Sequence, residues 1–542
     1  MAERTQPLAA SCARAPKGWA GSDIAGAGLA GAVWPGAGVA TFLVLLTLGA
    51  VVAVALRAGS GGALAASDWA AVRFTLGQAL VSALLSVALA VPLARALARR
   101  RFFGRGLVIT LLGAPFLLPT LVAVLGLLAV FGRNGLVNSW LAMLGLGPVQ
   151  IYGPQGVVLA HVFFNLPLAT RLILQGWLAI PSERFRLAAS LGFAPGDLFR
   201  RLEWPMLREV LPGCLLVIFL ICLTSFAVAL TLGGGPRATT IELAIYQAFR
   251  FDFDLGRAAR LAALQFLICA AAAVVALWVT TPAAIGGGLD RTVQRWDAGR
   301  LWPWDALIIA AAMLFLMLPL GTVVAAGLPQ LLSLPEVVWR AAGRSVLVAL
   351  ASTALCLAMG LVLALAILQV RRGAGVLLDT AGMLSLAASP LVIGTGLFLI
   401  AYPLVDPSRL ALPVTALVNA AMALPFALRA LLPALRQAER DFGRLATSLD
   451  MTGITRLRLV LLPRIRRPLG FAGGLAAALS IGDLGVIVLF AETGSATLPM
   501  QLQRLMGAYR MADAAGAALL LLVLSLAAFW ILDRSGRANA AT

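Results

Sequence analysis

The sequence predicts an all-α polytopic membrane protein, with about 12 transmembrane helices in two homologous six-helix halves. Three observations predict it. Of 542 residues, 61% are hydrophobic and 12% charged, and mean hydropathy is +0.96, so the bilayer must serve as solvent. Twelve stretches reach the ~20 apolar residues needed to cross the hydrocarbon, and the short alternating segments of a membrane barrel are absent. The chain also repeats itself. Leu166-Pro167 matches Leu424-Pro425, Arg171 matches Arg429, and Pro205 matches Pro463, each pair 258 residues apart.

In order, the spans are 37–57, 72–97, 107–131, 155–178, 208–232, 258–280, 305–328, 343–369, 376–402, 410–433, 467–490 and 513–532. They are numbered 1 to 12 below. Residues 1–36, rich in Pro, Gly, Ala and Ser, read as a disordered tail without the apolar core of a cleaved signal peptide. The first half occupies 37–285, a polar glycine-rich linker 286–304, the second half 305–533, and a short tail 534–542. Arg99 and Arg371, which end spans 2 and 8, are 272 apart and not 258. The first half therefore carries about 14 extra residues, placed by this reading in the 131–154 connection.

Two connections differ from the rest. Residues 181–205 and 439–463 are amphipathic, arginine-dense fingers between membrane spans. In the first, Leu187, Ala188 and Leu191 are expected on one helix face, Gly192 permits a reversal, and Pro195 opens a second short helix. In the second, Leu445, Ala446 and Leu449 take the same places, with Asp450 at the reversal and Gly453 after it. Because Asp enters left-handed backbone less readily than Gly, the first finger is expected to dock the more tightly. The second, with Arg456, Arg458, Arg464, Arg466 and Arg467, is expected to hold its partner or anionic lipid more electrostatically. The rival expectation is that Asp450 adopts the same turn and the fingers are equivalent.

Arginines orient the bundle. They crowd the connections after spans 2, 4, 6, 8, 10 and 12 and are sparse elsewhere, which puts both termini and both fingers in the cytoplasm. The +19 net charge reflects that orientation, and no arginine-rich soluble face invites nucleic acid.

Catalysis is thinly supported. Lys17 is the sole lysine, so no phosphate-binding GxxxxGK[ST] loop exists. His161 is the sole histidine, and the five cysteines show no CxxC spacing, so no metal or catalytic site is indicated. Within spans, His161 reads as an interhelical hydrogen bond or a substrate contact. Asn165, beside Pro167, reads as a helix kink or a pathway-lining group. Asp483 should face the bundle interior or a cavity, within a Gly482-Asp483-Leu484-Gly485 kink. Gly233 to Gly235 with Arg237, Thr239, Thr240 and Glu242 reads as a polar segment outside the membrane. Trp140, Trp278 and Trp304 read as interface anchors.

The fingers resemble the EAA loops of ABC importer permeases, whose pattern is Glu-Ala-Ala, Gly four residues later and Pro thirteen after that. Arg186 and Arg444 replace the glutamate. Ala188 and Ala446 keep the second alanine, Gly192 the glycine (Asp450 in the second finger), and Pro205 and Pro463 the proline. End to end, the chain resembles the fused two-half permeases of thiamine and thiamine phosphate importers, most tellingly in LAHVFFNLPLATRLILQ (159–175), LGGGPRATTIELAIYQA (232–248) and LSIGDLGVIVLF (479–490). The resemblance implies a type I, MetI-like permease in a bacterial inner membrane. It implies fingers that couple to a separate ATP-binding cassette ATPase dimer, which binds the ATP, and a periplasmic thiamine-binding protein as donor. It also implies that Asp483 could meet the thiazolium charge of the cargo. The alternatives are the same architecture importing ferric iron or another small solute, an ion-coupled secondary transporter, and a membrane-embedded enzyme.

Overall fold

The computed structural model describes residues 30–58, 63–113, 117–235, 238–279 and 302–538. Among these, every regular element is helical, and eleven helices are long and apolar enough to cross a membrane. They include Val33–Ala58, Ala66–Arg99, Pro154–Ala179, Leu255–Ala276, Glu336–Gln369 and Met511–Arg537. Most of the expected tail 1–36 and linker 286–304 lies outside the described residues. Two expected bounds are corrected: helix already begins by Val33, and the last helix runs to Ala538, so 534–538 is not a loose tail.

Four expected spans are not single helices. Span 9 divides into Arg372–Met383, Leu384–Ala387 and a short Pro390–Ala401, which is why eleven long helices are found where twelve spans were read. Span 3 begins as Arg105–Leu111 and resumes at Thr120–Phe131, directly after Pro119. Proline lacks an N–H and drives its predecessor out of the helical region, so both breaks sit where a proline stands. Span 5 stops at Leu223 and resumes at Phe226, and span 11 stops at Gly482 and resumes at Ile487. Ser225 and Asp483, 258 residues apart, are the extended residues at these two stops. Conversely, Pro167 beside Asn165 does not interrupt its span. Span 4 runs unbroken from Pro154 to Ala179, and the Asn165 amide donates to the carbonyl of His161 at 2.9 Å, tying its side chain back to the helix.

The halves are interlocked. Span 1 packs against spans 6, 8 and 9, and its counterpart, span 7, packs against spans 12, 2 and 3. Two glycines make these crossings close. A Cβ on Gly126 would meet the Pro319 carbonyl oxygen at 2.5 Å, and one on Gly396 would meet that of Ala50 at 2.3 Å. Glycine at those two positions lets a span from one half touch the backbone of the other, the small-residue packing expected where lipid supplies no hydrophobic drive. At the arginine-rich end, Arg99 and Arg100 of span 2 grip the buried Asp305 of span 7 at 2.5 and 2.6 Å.

A short helix follows each of spans 5 and 11: Ile241–Arg250 and Leu498–Gly507. The Ile241 N–H donates to the Thr75 hydroxyl at 2.9 Å, and the Leu498 N–H to the Ser345 hydroxyl at 2.8 Å. The extra length of the first half is visible as helix Leu136–Met143 between spans 3 and 4, where the second half has only the turn Pro407–Leu410.

Candidate functional site

The fingers close in the same way. Helix Ser182–Ser190 ends at Gly192 (φ 67°), whose N–H donates to Ala189 at 3.1 Å while that of Phe193 donates to Ala188 at 3.0 Å. In the second finger Asp450 (φ 52°) donates to Thr447 at 3.1 Å and Met451 to Ala446 at 2.9 Å. These are paired six-to-one and five-to-two bonds around a left-handed residue, the Schellman closure, and the kept alanines Ala188 and Ala446 supply the deeper acceptor. Asp450 therefore makes the glycine's turn, and the turn does not distinguish the fingers. Each then passes through a π-helical turn, Phe199–Glu203 or Leu457–Leu461, again 258 apart. Such a wide turn inside a helix marks functional segments often. Pro205 and Pro463 follow directly after these π-helical turns, within a helix that continues into the next span.

The expected single apolar face splits in two. Ala188 and Ala446 are buried against the bundle, whereas Leu187 and Leu191 are 60% and 63% exposed, and Leu445 and Leu449 are 56% and 59% exposed. Residues four apart share a stripe, so each finger presents a leucine pair to solvent, flanked by exposed Arg186 or Arg444.

The fingers differ in how they are held. Span 4 ends at Ala179 and Pro181 precedes the first finger, a joint between two helices. The residue 258 later is Glu439, and there one helix runs unbroken from Ala411 to Ser448. Glu203, fully buried, accepts from Arg95 of span 2 at 2.8 Å. In the second finger the buried Arg456 pairs with Glu439 inside the finger itself. This corrects one expectation: Arg456 is 2% exposed and unavailable to lipid. Arg464 lies over the Phe442 ring, 3.4 Å from its centre, and stays exposed.

The second candidate region is the seam where the four broken spans meet. A Cβ on Gly482 would come within 3.0 Å of Pro119, so the stop of span 11 abuts that of span 3. Asp483 accepts from the Gly485 N–H at 3.2 Å, its other oxygen is buried without a partner, and a Cβ on Gly485 would meet Pro390 at 3.1 Å. Farther along these elements, Phe249 of the first half meets Phe398 of the second at 4.4 Å, and Phe398 meets Phe490 at 5.4 Å. Non-helical backbone at membrane depth persists where protein or a cavity covers it, which is the setting of a pathway.

His161 and Asn165 lie elsewhere, inside the first half. His161 Nδ1 is 3.3 Å from the Ser82 hydroxyl, and Asn165 reaches Cys222 Sγ at 3.3 Å, joining spans 2, 4 and 5. In the second half Asn419 and Ser480, at the places of His161 and Cys222, hydrogen-bond at 3.0 Å. Sequence reasoning missed Glu242: read as part of an exposed polar segment, it is 1% exposed, and Thr240 is 1% exposed beside it. The overlooked signal was the helical spacing of Ile241, Ile245 and Phe249 behind a threonine cap. Among the described residues, no group of His, Cys, Asp and Glu could hold a metal ion.

No family model matches the chain. The thiamine transport system permease protein ThiP of Brucella abortus (strain 2308) is 44% identical over 511 residues, covering 91% of this chain and 93% of the relative. That of Escherichia coli (strain K12) is 39% identical over 525 residues, covering 94% and 97%. A probable sulfate transport system permease protein cysT of Helicosporidium sp. subsp. Simulium jonesii is 27% identical over 186 residues, 34% of this chain and 68% of the relative.

Proposed function

The chain belongs to the family of thiamine transport permeases, and on that premise we propose that it is the membrane-spanning subunit of an ATP-driven importer. Its cargo is thiamine or a phosphate ester, carried inward across a bacterial inner membrane. The observation that carries the coupling role is the duplicated finger: one Schellman-closed helix in each half, presenting an exposed leucine pair at the arginine-rich end.

The fingers, with Arg186, Ala188, Gly192 and Pro205 in one and Arg444, Ala446, Asp450 and Pro463 in the other, dock into clefts of a separate ATPase dimer. ATP is bound and hydrolysed there and not on this chain. A binding protein delivers cargo at the opposite end. The ATPase must hold one arrangement of the two fingers better than the other, since a partner shifts an equilibrium only by its differential affinity. The Ala411–Ser448 helix is about 57 Å long at 1.5 Å per residue, so one helix, with Pro425 and Pro433 inside it, connects the second finger to the middle of span 10. Asp483 offers charge to the thiazolium ring at the seam, while His161 and Asn165 support packing within the first half.

The test is uptake of labelled thiamine into vesicles holding the complex of this chain, its ATPase and its binding protein. ATP-dependent accumulation is expected, and accumulation without ATP would refute the assignment. A thiol probe at position 235 should react from outside intact cells and one at position 190 should not. The opposite pattern would reverse the orientation.

A further inference from the structure

Glu242 opens helix Ile241–Arg250, where an acidic group suits the positive helix end. Yet it is 1% exposed. Gln265 of span 6 donates to it at 3.3 Å, and the Ser389 side chain of span 9, in the other half, lies against it. Among the described residues no arginine or lysine pairs with it, and the Gln265 carbonyl oxygen is itself buried without a partner. Burying a carboxylate without a cation is costly, so such a group calls for a reason.

The fold does not supply one. The same short helix forms in the second half with Pro499 at the place of Glu242, 257 residues later, and Leu521 at that of Gln265, 256 residues later. Thr240 and Thr497, 257 apart, precede the two helices, and the left-handed Phe253 and Tyr509, 256 apart, turn the chain into the next span, which fixes both correspondences. A polar pair that one half replaces with proline and leucine is not needed to build the element. Asp483 likewise occurs in one half only, with Ser225 as its counterpart.

Both lone carboxylates flank one point. Glu242 touches Ser389, and Asp483 reaches Pro390 through Gly485. Rings lie alongside: Tyr246, one helical turn beyond Glu242, meets Phe226 at 5.4 Å, and Phe249 meets Phe398 across the halves. Carboxyl groups without cationic partners, with aromatic rings one to two helical turns along the same elements, match an organic cation with aromatic rings. They would repel an anion such as sulfate.

We propose that Glu242 is a cation-selecting residue of the pathway, acting with Asp483 on either side of the Ser389-Pro390 break. This inference rests on the thiamine reading above. The test is uptake by the full complex of thiamine and of a neutral isostere whose thiazolium is replaced by thiophene. In E242Q the ratio of thiamine to isostere uptake should fall at least tenfold from the wild-type ratio, and E242D should restore most of it. A ratio unchanged in E242Q, or E242D failing as E242Q does, overturns the inference while leaving the thiamine assignment standing. A wild-type complex that moves neither compound sinks the assignment and this inference with it.

Discussion

The two fingers share their closure and differ in their moorings. Gly192 and Asp450 reach the same left-handed backbone and close the same two hydrogen bonds. Around that shared turn, the first finger hangs from a proline joint and is tied to span 2 through Glu203 and Arg95. The second continues span 10 and is tied to itself through Glu439 and Arg456. Duplication preserved the surface presented outward, the leucine pair and the turn that aims it, while the inward attachment drifted. The part shown to a partner is constrained by that partner's shape, whereas any arrangement that satisfies the buried groups can serve as the anchor.

The comparison can be sharpened by breaking one mooring at a time. The largest effect is expected from E439A, which strands the buried Arg456; removing one partner of a buried pair costs ~3–5 kcal/mol. Amide exchange across 440–461 should accelerate by roughly two to four orders of magnitude, with 182–203 unchanged. R95A should do the reverse, loosening the first finger by a smaller ~1–3 kcal/mol, because Glu203 keeps a further interaction. If either variant loosens both fingers equally, the moorings are not independent.

Smaller effects probe the turn. G192V and D450V should each cost about 1–3 kcal/mol, and by similar amounts, since valine tolerates left-handed backbone poorly at both places. Nothing lies within 4 Å of a Cβ added at Gly192, so the cost there is purely backbone. D450G should be neutral or stabilising by up to ~1 kcal/mol. Exchange of the Phe193 and Met451 amides reads these directly, and a cost confined to one finger would restore the inequality expected from sequence. Least of all, P181A should change stability by under ~1 kcal/mol while slowing exchange at 179–184 as span 4 and the finger helix join.

The sequence made the spans and both fingers readable, because apolar length and a fixed offset need no tertiary information. Even Asp450 could be placed by its register with Gly192. What it concealed depends on contacts distant along the chain. The exchange of spans 1 and 7 between halves could not be read, since an evenly apolar helix does not declare which neighbour it packs against. Arg95 and Glu203 are 108 residues apart, and nothing local in either marks the pair. Leu187 and Ala188 looked alike as apolar residues, yet only one faces the bundle, because the finger's inward face is set by Phe185 three residues before Ala188. The breaks in spans 3 and 9 were visible in principle at Pro119 and Pro390, but their apolar flanks read as continuous spans.

The central claim is that both fingers couple this permease to ATP hydrolysis, whatever their moorings. The leucine pairs test it most directly, because they are exposed and their loss should change stability by no more than ~0.5 kcal/mol. ATP-driven thiamine uptake should be measured for complexes carrying L187S with L191S, or L445S with L449S, each inserted normally in the vesicle membrane. The account predicts that either pair alone reduces uptake to the level seen without ATP. Wild-type uptake from a complex in which one finger has lost its leucines would contradict it.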